Sequence, residues 1–256
     1  MFFDTHCHLD FAVFDSDRDV LMSQAQRLGI EQILIPGVSL QNFAKIEAIH
    51  AQWPDTIHFA LGLHPCFIQE HSAQAVSRLA DWLSRSRSVC ALGEIGLDAR
   101  PNQAPEAVQL MLLEDQLKLA RERDLPVILH VVKAHERMLS LLKRYALPRG
   151  GVVHAYSGSL EQAKHYAKLG FKLGFGGAVT YDRAQRQHRM VRELPLDWML
   201  LETDAPDMPL QGYQHQPNTP LRVIEVAQAI ATLRGVSLET ITTQTQHNAQ
   251  QLFFSR

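Results

Sequence analysis

The sequence predicts an α/β fold, a (β/α)8 TIM barrel with an additional C-terminal helix. Short apolar, β-branched runs alternate with longer amphipathic stretches, and the alternation repeats about eight times within 256 residues. That count and that length are what such a barrel requires. A doubly wound open sheet is the alternative built from the same elements. Since no linker or low-complexity tract interrupts the chain, we expect one domain spanning 1–256.

The predicted elements follow one another as strand and helix along the chain. Segment 105–124 illustrates the helices: Pro105 and Glu106 suit a first turn, apolar residues recur every three or four positions, and basic residues come last. The predicted strands are MFFDTH (1–6), QILIPGV (32–38), HFALGLH (58–64), VCALGEIG (89–96), PVILHV (126–131), GVVHAYS (151–157), FKLGFGG (171–177) and WMLLETDAP (198–206). The predicted helices lie near 16–28, 40–52, 72–86, 105–124, 133–145, 159–169, 182–193 and 219–233, with a last one near 237–253.

Composition and charge exclude some classes of function. The formal net charge of −2 does not provide the cationic field of a protein that coats DNA, although an enzyme could still hold a few phosphates locally. The three cysteines, Cys7, Cys66 and Cys90, lack CxxC spacing, which argues against a disulfide framework and fits a reducing compartment. With neither a signal-peptide pattern nor a membrane-length apolar run, we expect a cytoplasmic protein without membrane contact or an obligate protein partner.

Metal-binding side chains recur where the predicted strands end. In a barrel these ends meet around one axis, on the face where active sites are assembled. Each residue alone has an ordinary explanation, such as a polar strand end or, for Asp204, a helix N-cap. A shared cation explains why five different strands each have a metal-binding side chain at the same end. The set comprises His6, His8, Glu94, His130, His154 and Asp204.

Four imidazoles and two carboxylates, without a thiolate, suit zinc, manganese, cobalt or iron better than calcium. They could hold two ions, with Glu94 as the bridge between the histidine pair that follows the first strand and the pair from the fifth and sixth. Asp204 would ligate an ion and accept a proton from the attacking water. Two ions about 3.5–4 Å apart stabilise an in-line displacement. The chemistry therefore points to hydrolysis, most naturally of phosphate esters.

Further residues are candidates for substrate contact. His64 ends the third strand and could touch the substrate or the metal ligands. Tyr156 and Ser157, in HAYSGS, could donate hydrogen bonds at the rim, although a glycine-containing turn before the sixth helix explains them as well. Cys7 is expected in the core, because strand alternation turns it away from His6 and His8.

Seven ordered motifs resemble those of the TatD family of metal-dependent hydrolases and deoxyribonucleases, within the amidohydrolase-like barrels. They are THCHLD, GLHP, GEIGLD, LH followed by KAHE, HAYSGS, LETDAP and HNAQQLF, and the likeness runs from residue 1 to about 254. The resemblance implies a (β/α)8 barrel with a divalent metal site. Carried over motif by motif, it implies as ligands the same six residues that the strand ends select.

The sequence departs from the family's pattern at two places on the rim. Val132 and Lys133 stand where members often have Arg and Asp, and Pro217 and Thr219 replace the Arg and Glu of a later motif. The metal core is unchanged. Lys133 could supply a replacement cation for a phosphate of the substrate.

We therefore expect a divalent-metal-dependent hydrolase with two ions per chain (Zn, Mn or Mg) and with Asp204 and Glu94 as catalytic residues. The leading hypothesis is a phosphodiesterase or deoxyribonuclease that acts like a 3′ exonuclease on DNA ends. One alternative is hydrolysis of a small phosphoester, amide or lactone by the same centre. Another is a non-catalytic metal-binding barrel, which a complete catalytic ligand set disfavours.

Overall fold

Eight parallel strands form one sheet in chain order, as a computed structural model that describes residues 1–255 shows. Each strand pairs in parallel with the next one along the chain. Most positions on the strands are buried, as strands covered on both faces must be. The strands are β1 (Phe2–Asp4), β2 (Ile30–Pro36), β3 (Ile57–Leu61), β4 (Val89–Asp98), β5 (Val127–Val132), β6 (Gly151–Val153), β7 (Phe171–Phe175) and β8 (Met199–Leu201).

The helices alternate with the strands and cover the outside of the sheet. Amphipathic patterning predicts each of them, with bounds that differ from the structure by a few residues. They are α1 (Arg18–Arg27), α2 (Phe43–Gln52), α3 (Ala75–Arg85), α4 (Glu106–Glu122), α5 (His135–Tyr145), α6 (Leu160–Lys168), α7 (Gln185–Glu193), α8 (Val223–Arg234) and α9 (Leu238–Phe253). Across residues 1–255, no helix is both long enough and apolar enough to cross a bilayer.

Backbone contacts between the first and last strands bring the sheet round into a barrel. The Thr5 amide donates to the Leu201 carbonyl at 2.9 Å, and Cys7 forms a parallel bridge with Ala205. The predicted (β/α)8 barrel with a C-terminal helix is confirmed, and the open-sheet alternative is excluded.

Strand alternation decides which side chains face the barrel interior. Ile128 and His130 lie two residues apart on β5, and Val152 and His154 are related in the same way around β6, so each pair shares a side. The apolar members join a buried cluster with α9 at the amino-terminal end of the barrel, while the histidines lie toward the carboxyl end. That cluster contains Phe3, Leu34, Ala60, Cys90, Ala91, Ile128, Val152, Leu200, Ala249, Leu252 and Phe253.

Strand β4 is longer than predicted, and this changes the position of Glu94. The strand continues to Asp98, so Glu94 lies inside it rather than at its end. An irregularity in the pairing with β5 between Leu92 and Ile95 allows the extra length. Beyond it, Gly96 (φ 154°) approaches β5 so closely that a Cβ there would lie 1.9 Å from the His130 carbonyl oxygen. Gly96, the second glycine of GEIGLD, is thus required by strand packing.

Candidate metal centre

The barrel brings all six predicted ligands to one point near the carboxyl ends of its strands. His6 and His8 follow β1, Glu94 lies within β4 and His130 within β5. The other two, His154 and Asp204, follow β6 and β8. Their atoms form two groups that could each hold an ion, one of His6, His8 and Asp204 and the other of Glu94, His130 and His154.

Glu94 joins the two groups, because its two carboxylate oxygens face different histidine pairs. Its Oε1 lies 2.8 Å from His154 Nε2 and 3.1 Å from His130 Nδ1. Its Oε2 lies 3.3 Å from His6 Nε2 and 3.6 Å from His8 Nε2. The side chain is only 2% exposed. Glu94 therefore lies between the two histidine pairs.

Asp204 faces the histidine pair of β1. Its Oδ1 lies 3.4 Å from His6 Nε2 and 3.6 Å from His8 Nε2. The residue has a left-handed backbone (φ 56°), and its amide donates to the His6 carbonyl at 2.8 Å. Such a conformation is costly for a residue other than glycine and is typical of functional sites. Asp204 caps no helix among residues 1–255, so the alternative role as an N-cap is excluded.

The six residues fit a divalent cation. His6 Nε2 is buried and has no hydrogen-bond partner among the described residues, although two carboxylate oxygens lie within 3.4 Å of it. Buried imidazole nitrogens are normally hydrogen-bonded, so an unpartnered one directed at carboxylates suits a metal ligand. Ligands about 2.1 Å from a shared tetrahedral ion lie about 3.4 Å apart, which is close to the separations here.

The protonation of the β1 pair also suits ligation. Burial, reinforced by the nearby His154, lowers the pKa of His6 well below its usual range. Burial lowers the pKa of His8 to about 4. Both rings are therefore neutral near pH 7 and offer a lone pair, as a metal ligand must.

The other two candidate histidines, His130 and His154, carry positive charge in the absence of a metal. Burial opposes protonation, but Glu94 raises the pKa of His154 to about 9, and hydrogen bonds with Asp98, Cys66 and Glu94 raise that of His130 well above its usual range. Conversely, although burial disfavours its charge, the surrounding histidines hold the pKa of Glu94 well below normal. Metal binding would displace these protons, because a ligating imidazole must be neutral.

Further buried groups surround the candidate ligands. His64 follows β3, and its Nε2 lies 3.1 Å from Glu94 Oε1. It therefore contacts a candidate metal ligand. Glu202 lies close to His6 and His154, and burial raises its pKa to about 8. Asp4 accepts hydrogen bonds from the amide and the hydroxyl of Thr203 at 2.9 and 2.6 Å, which ties β1 to the loop that carries Asp204.

A cavity of about 550 Å³ opens directly over the candidate ligands. Phe11, Phe67 and Met208 form apolar parts of its wall, and Val132 and Ser157 also line it. Lys133 instead lines a neighbouring cleft of about 660 Å³, together with Arg137. Arg100 lines both spaces, so the two are adjacent.

Pro217 and Thr219, which differ from the family's usual residues, lie in a loop with a structural role. Asn218, between Pro217 and Thr219, is fully buried, and its side-chain amide donates to the Thr203 and Met208 carbonyls at 2.9 and 3.3 Å. This loop therefore supports the segment that carries Asp204.

Tyr156 differs from its predicted role in substrate binding. Its side chain is only 1% exposed, and its hydroxyl donates to the Ser159 carbonyl at 2.6 Å. The ring packs on Tyr166 and His135, in the helical layer. Strand alternation does not continue from His154 to Tyr156, because β6 ends at Val153 and Ala155 has a left-handed backbone (φ 44°). Of the two HAYSGS candidates, only Ser157 lines the cavity. Cys7 is fully buried in the core, as expected.

Sequence reasoning missed three residues that contact one another beside the candidate ligands. Asp98 Oδ2 lies 2.9 Å from His130 Nε2, and the Cys66 thiol lies 3.4 Å from the same oxygen. The Arg100 Nε donates to Asp98 at 2.9 Å. Asp98 follows Glu94 by four positions on the same strand, and even spacing places both on one side. The four-residue spacing in GEIGLD could have indicated that Asp98 lies beside Glu94, but only if the strand is predicted to continue to Asp98.

The sequence model of the TatD-related DNases matches residues 3–254. The chain belongs to this TatD-related family. Escherichia coli (strain K12) has a protein named as the uncharacterized metal-dependent hydrolase YjjV, which is 42% identical over 98% of this chain and 97% of its own length. The crystal structure of the E. coli TatD homolog YjjV superposes with a TM-score of 0.93, at 41% identity over 100% of this chain and 98% of that chain.

The TatD relatives also include enzymes named for nuclease activity. A protein of Rahnella sp. (strain Y9602), named a 3′-5′ ssDNA/RNA exonuclease, is 32% identical over 98% of this chain and 97% of its own length. The family resemblance predicted from the seven sequence motifs is therefore confirmed over nearly the whole chain.

Proposed function

We propose that this protein is a divalent-metal-dependent hydrolase that cleaves phosphodiester bonds at the 3′ end of single-stranded DNA. Membership of the TatD-related family supports metal-dependent hydrolysis, and a relative named for 3′-5′ exonuclease action on ssDNA and RNA supports the choice of substrate. An open cavity of about 550 Å³ suits a chain end better than a long duplex.

One observation carries the proposal: the two oxygens of Glu94 face two separate histidine pairs. A carboxylate that faces two ligand sets can be shared by two ions, and two neighbouring ions stabilise both the attacking and the leaving oxygen of an in-line displacement. His6, His8 and Asp204 would hold one ion and His130 and His154 the other, with Glu94 shared. The donor set, with four imidazoles and two carboxylates, suits zinc or manganese better than magnesium, which prefers oxygen ligands.

Bound divalent cations would supply Lewis acidity, which activates water and stabilises negative charge on phosphate. The protein's own carboxylates then differ in role. Both line the cavity, but Asp204 is 13% exposed against 2% for Glu94, so Asp204 is the more accessible of the two. Asp204 would accept the proton of the attacking water, while Glu94 would be the carboxylate shared by the two ligand groups.

The test is digestion of a 5′-labelled single-stranded oligonucleotide by protein loaded in turn with Mg²⁺, Mn²⁺ or Zn²⁺. We expect metal-dependent shortening from the 3′ end and its loss in Glu94→Ala, which also controls for contaminating nuclease. A 3′-phosphorothioate oligonucleotide should resist. Equal digestion by Glu94→Ala, or no digestion by folded, metal-loaded protein, would contradict the proposal. The second result would direct the search to small phosphoesters, amides and lactones.

Lys133 tests where the substrate lies. It is the cation that replaces the family's usual acidic residue, and it lines the cleft beside the metal cavity. If it holds a phosphate of the strand, Lys133→Ala should lower kcat/KM on single-stranded DNA about tenfold, because one charge-assisted contact is lost. The loss should shrink as salt rises.

The matched control is Lys168→Ala, an exposed lysine at the last residue of α6. Its kcat/KM should equal that of the wild type. An unchanged kcat/KM in Lys133→Ala would remove this cleft from the substrate path.

A further inference from the structure

Asp98 is a buried carboxylate that the proposed chemistry does not use. It ends β4, and its side chain is completely buried. Burying a charged carboxylate is costly unless hydrogen bonds compensate, so its partners show what holds it there. Its Oδ2 lies 2.9 Å from His130 Nε2, and Arg100 donates to Oδ1 through both its backbone amide and its Nε, at 3.0 and 2.9 Å.

The two ring nitrogens of His130 face opposite ways. Nε2 is directed at Asp98, and Nδ1 lies 3.1 Å from Glu94 Oε1 and 3.2 Å from His154 Nε2. An ionised carboxylate can only accept hydrogen bonds, so Nε2 must carry the proton in this contact. Nδ1 is then left as the nitrogen that presents a lone pair to the candidate metal centre in the neutral ring.

The backbone of Asp98 is fixed as well as its side chain. Gln109, buried on α4, accepts from the Asp98 amide at 2.8 Å and donates to the Asp98 carbonyl at 2.9 Å. With Arg100 on one side and Gln109 on the other, the carboxylate has little freedom to move away from His130. Such rigidity is what a group that orients a ligand needs.

We propose that Asp98 is a positioning residue that holds His130 in the Nε2–H tautomer and so directs its Nδ1 at the metal. A carboxylate behind a ligating imidazole fixes the ring and increases its basicity. The inference rests on the proposed metal centre but not on any substrate. A failure to digest DNA would therefore leave it standing.

The test measures the affinity for Zn²⁺ by competition with a chromogenic chelator, without substrate. Asp98→Asn should weaken binding of one of the two ions about 10–100-fold, the usual effect of removing such a partner. Asp115→Asn, which changes an exposed aspartate of α4 in the same way, should bind like the wild type. Affinity within threefold of the wild type in Asp98→Asn would overturn the proposal.

A double-mutant cycle separates positioning from a general structural effect. If Asp98 acts through His130, the loss caused by Asp98→Asn should disappear in a His130→Ala background. The same loss in that background would contradict the proposal.

A second measurement uses the unaltered chain, in case the variants fail to fold. In metal-free protein at a pH where His130 is neutral, ¹⁵N correlation spectra should show the proton on Nε2. A proton on Nδ1 would overturn the proposal.

Discussion

The two carboxylates of the candidate centre occupy different environments. Glu94 is almost completely enclosed and surrounded by histidines, which hold its pKa low despite burial. Asp204 lies beside the cavity, and burial, reinforced by the charge of Glu94, raises its pKa to about 7. The enclosed anion suits a bridge, and the accessible one suits a proton acceptor.

Replacement of Asp204 by Asn tests that assignment. The amide keeps the shape but accepts a proton poorly, so kcat on single-stranded DNA should fall about 10²–10⁴-fold. Circular dichroism and Tm should remain close to those of the wild type. The control is Asp197→Asn, because Asp197 is exposed near the opposite end of β8. Activity of Asp204→Asn within tenfold of the wild type would exclude Asp204 as the base.

Residue identity and strand position predicted the six candidate ligands, because each has metal-binding chemistry and follows or lies on an apolar run. They did not predict the contact of Asp98 with His130 or the burial of Tyr156. Asp98 requires knowing that β4 continues past Gly96, a register that depends on contact with β5. Tyr156 required knowing how the chain turns after β6, since that turn decides which side its ring faces.

At the scale of elements, the opposite end of the barrel serves stability. His58 lies on β3 and contacts Phe3 and Phe254, and its Nε2 lies 3.1 Å from the side-chain amide nitrogen of Gln32. Burial, with a smaller effect of nearby His50, lowers its pKa to about 4. An unfolded histidine titrates near 6.5. The neutral ring therefore stabilises the fold fully above pH 6.5, and this stabilisation is lost as the pH falls toward 4.

Urea unfolding at two pH values tests this effect. Between pH 7.5 and pH 5, the free energy of unfolding of the wild type should fall by up to about 2 kcal/mol more than that of His58→Gln. Changes shared by both proteins, including protonation of the candidate ligands, cancel in this difference. The matched control is His165→Gln, which changes an exposed histidine of α6 in the same way. Equal pH dependence of the wild type and His58→Gln would show that His58 is not destabilising when protonated.

At the scale of the whole molecule, barrel closure is what converts a dispersed sequence pattern into a site. Residues as far apart as His6 and Asp204 become neighbours, because β1 and β8 meet through Thr5 and Leu201. The repeated alternation of strands and helices predicted this closure and hence the convergence. The distances between side chains were not predictable, because they depend on the tilt and register of all eight strands.

The number of ions bound per chain is the most direct test of the two-ion centre. Protein equilibrated with buffered Zn²⁺ or Mn²⁺ would be analysed by mass spectrometry of its metal content, beside Glu94→Gln. We predict two ions per chain in the wild type and at most one in Glu94→Gln, because the shared carboxylate joins the two ligand groups. One ion or none at saturation in the wild type, or two in Glu94→Gln, would contradict the two-ion centre.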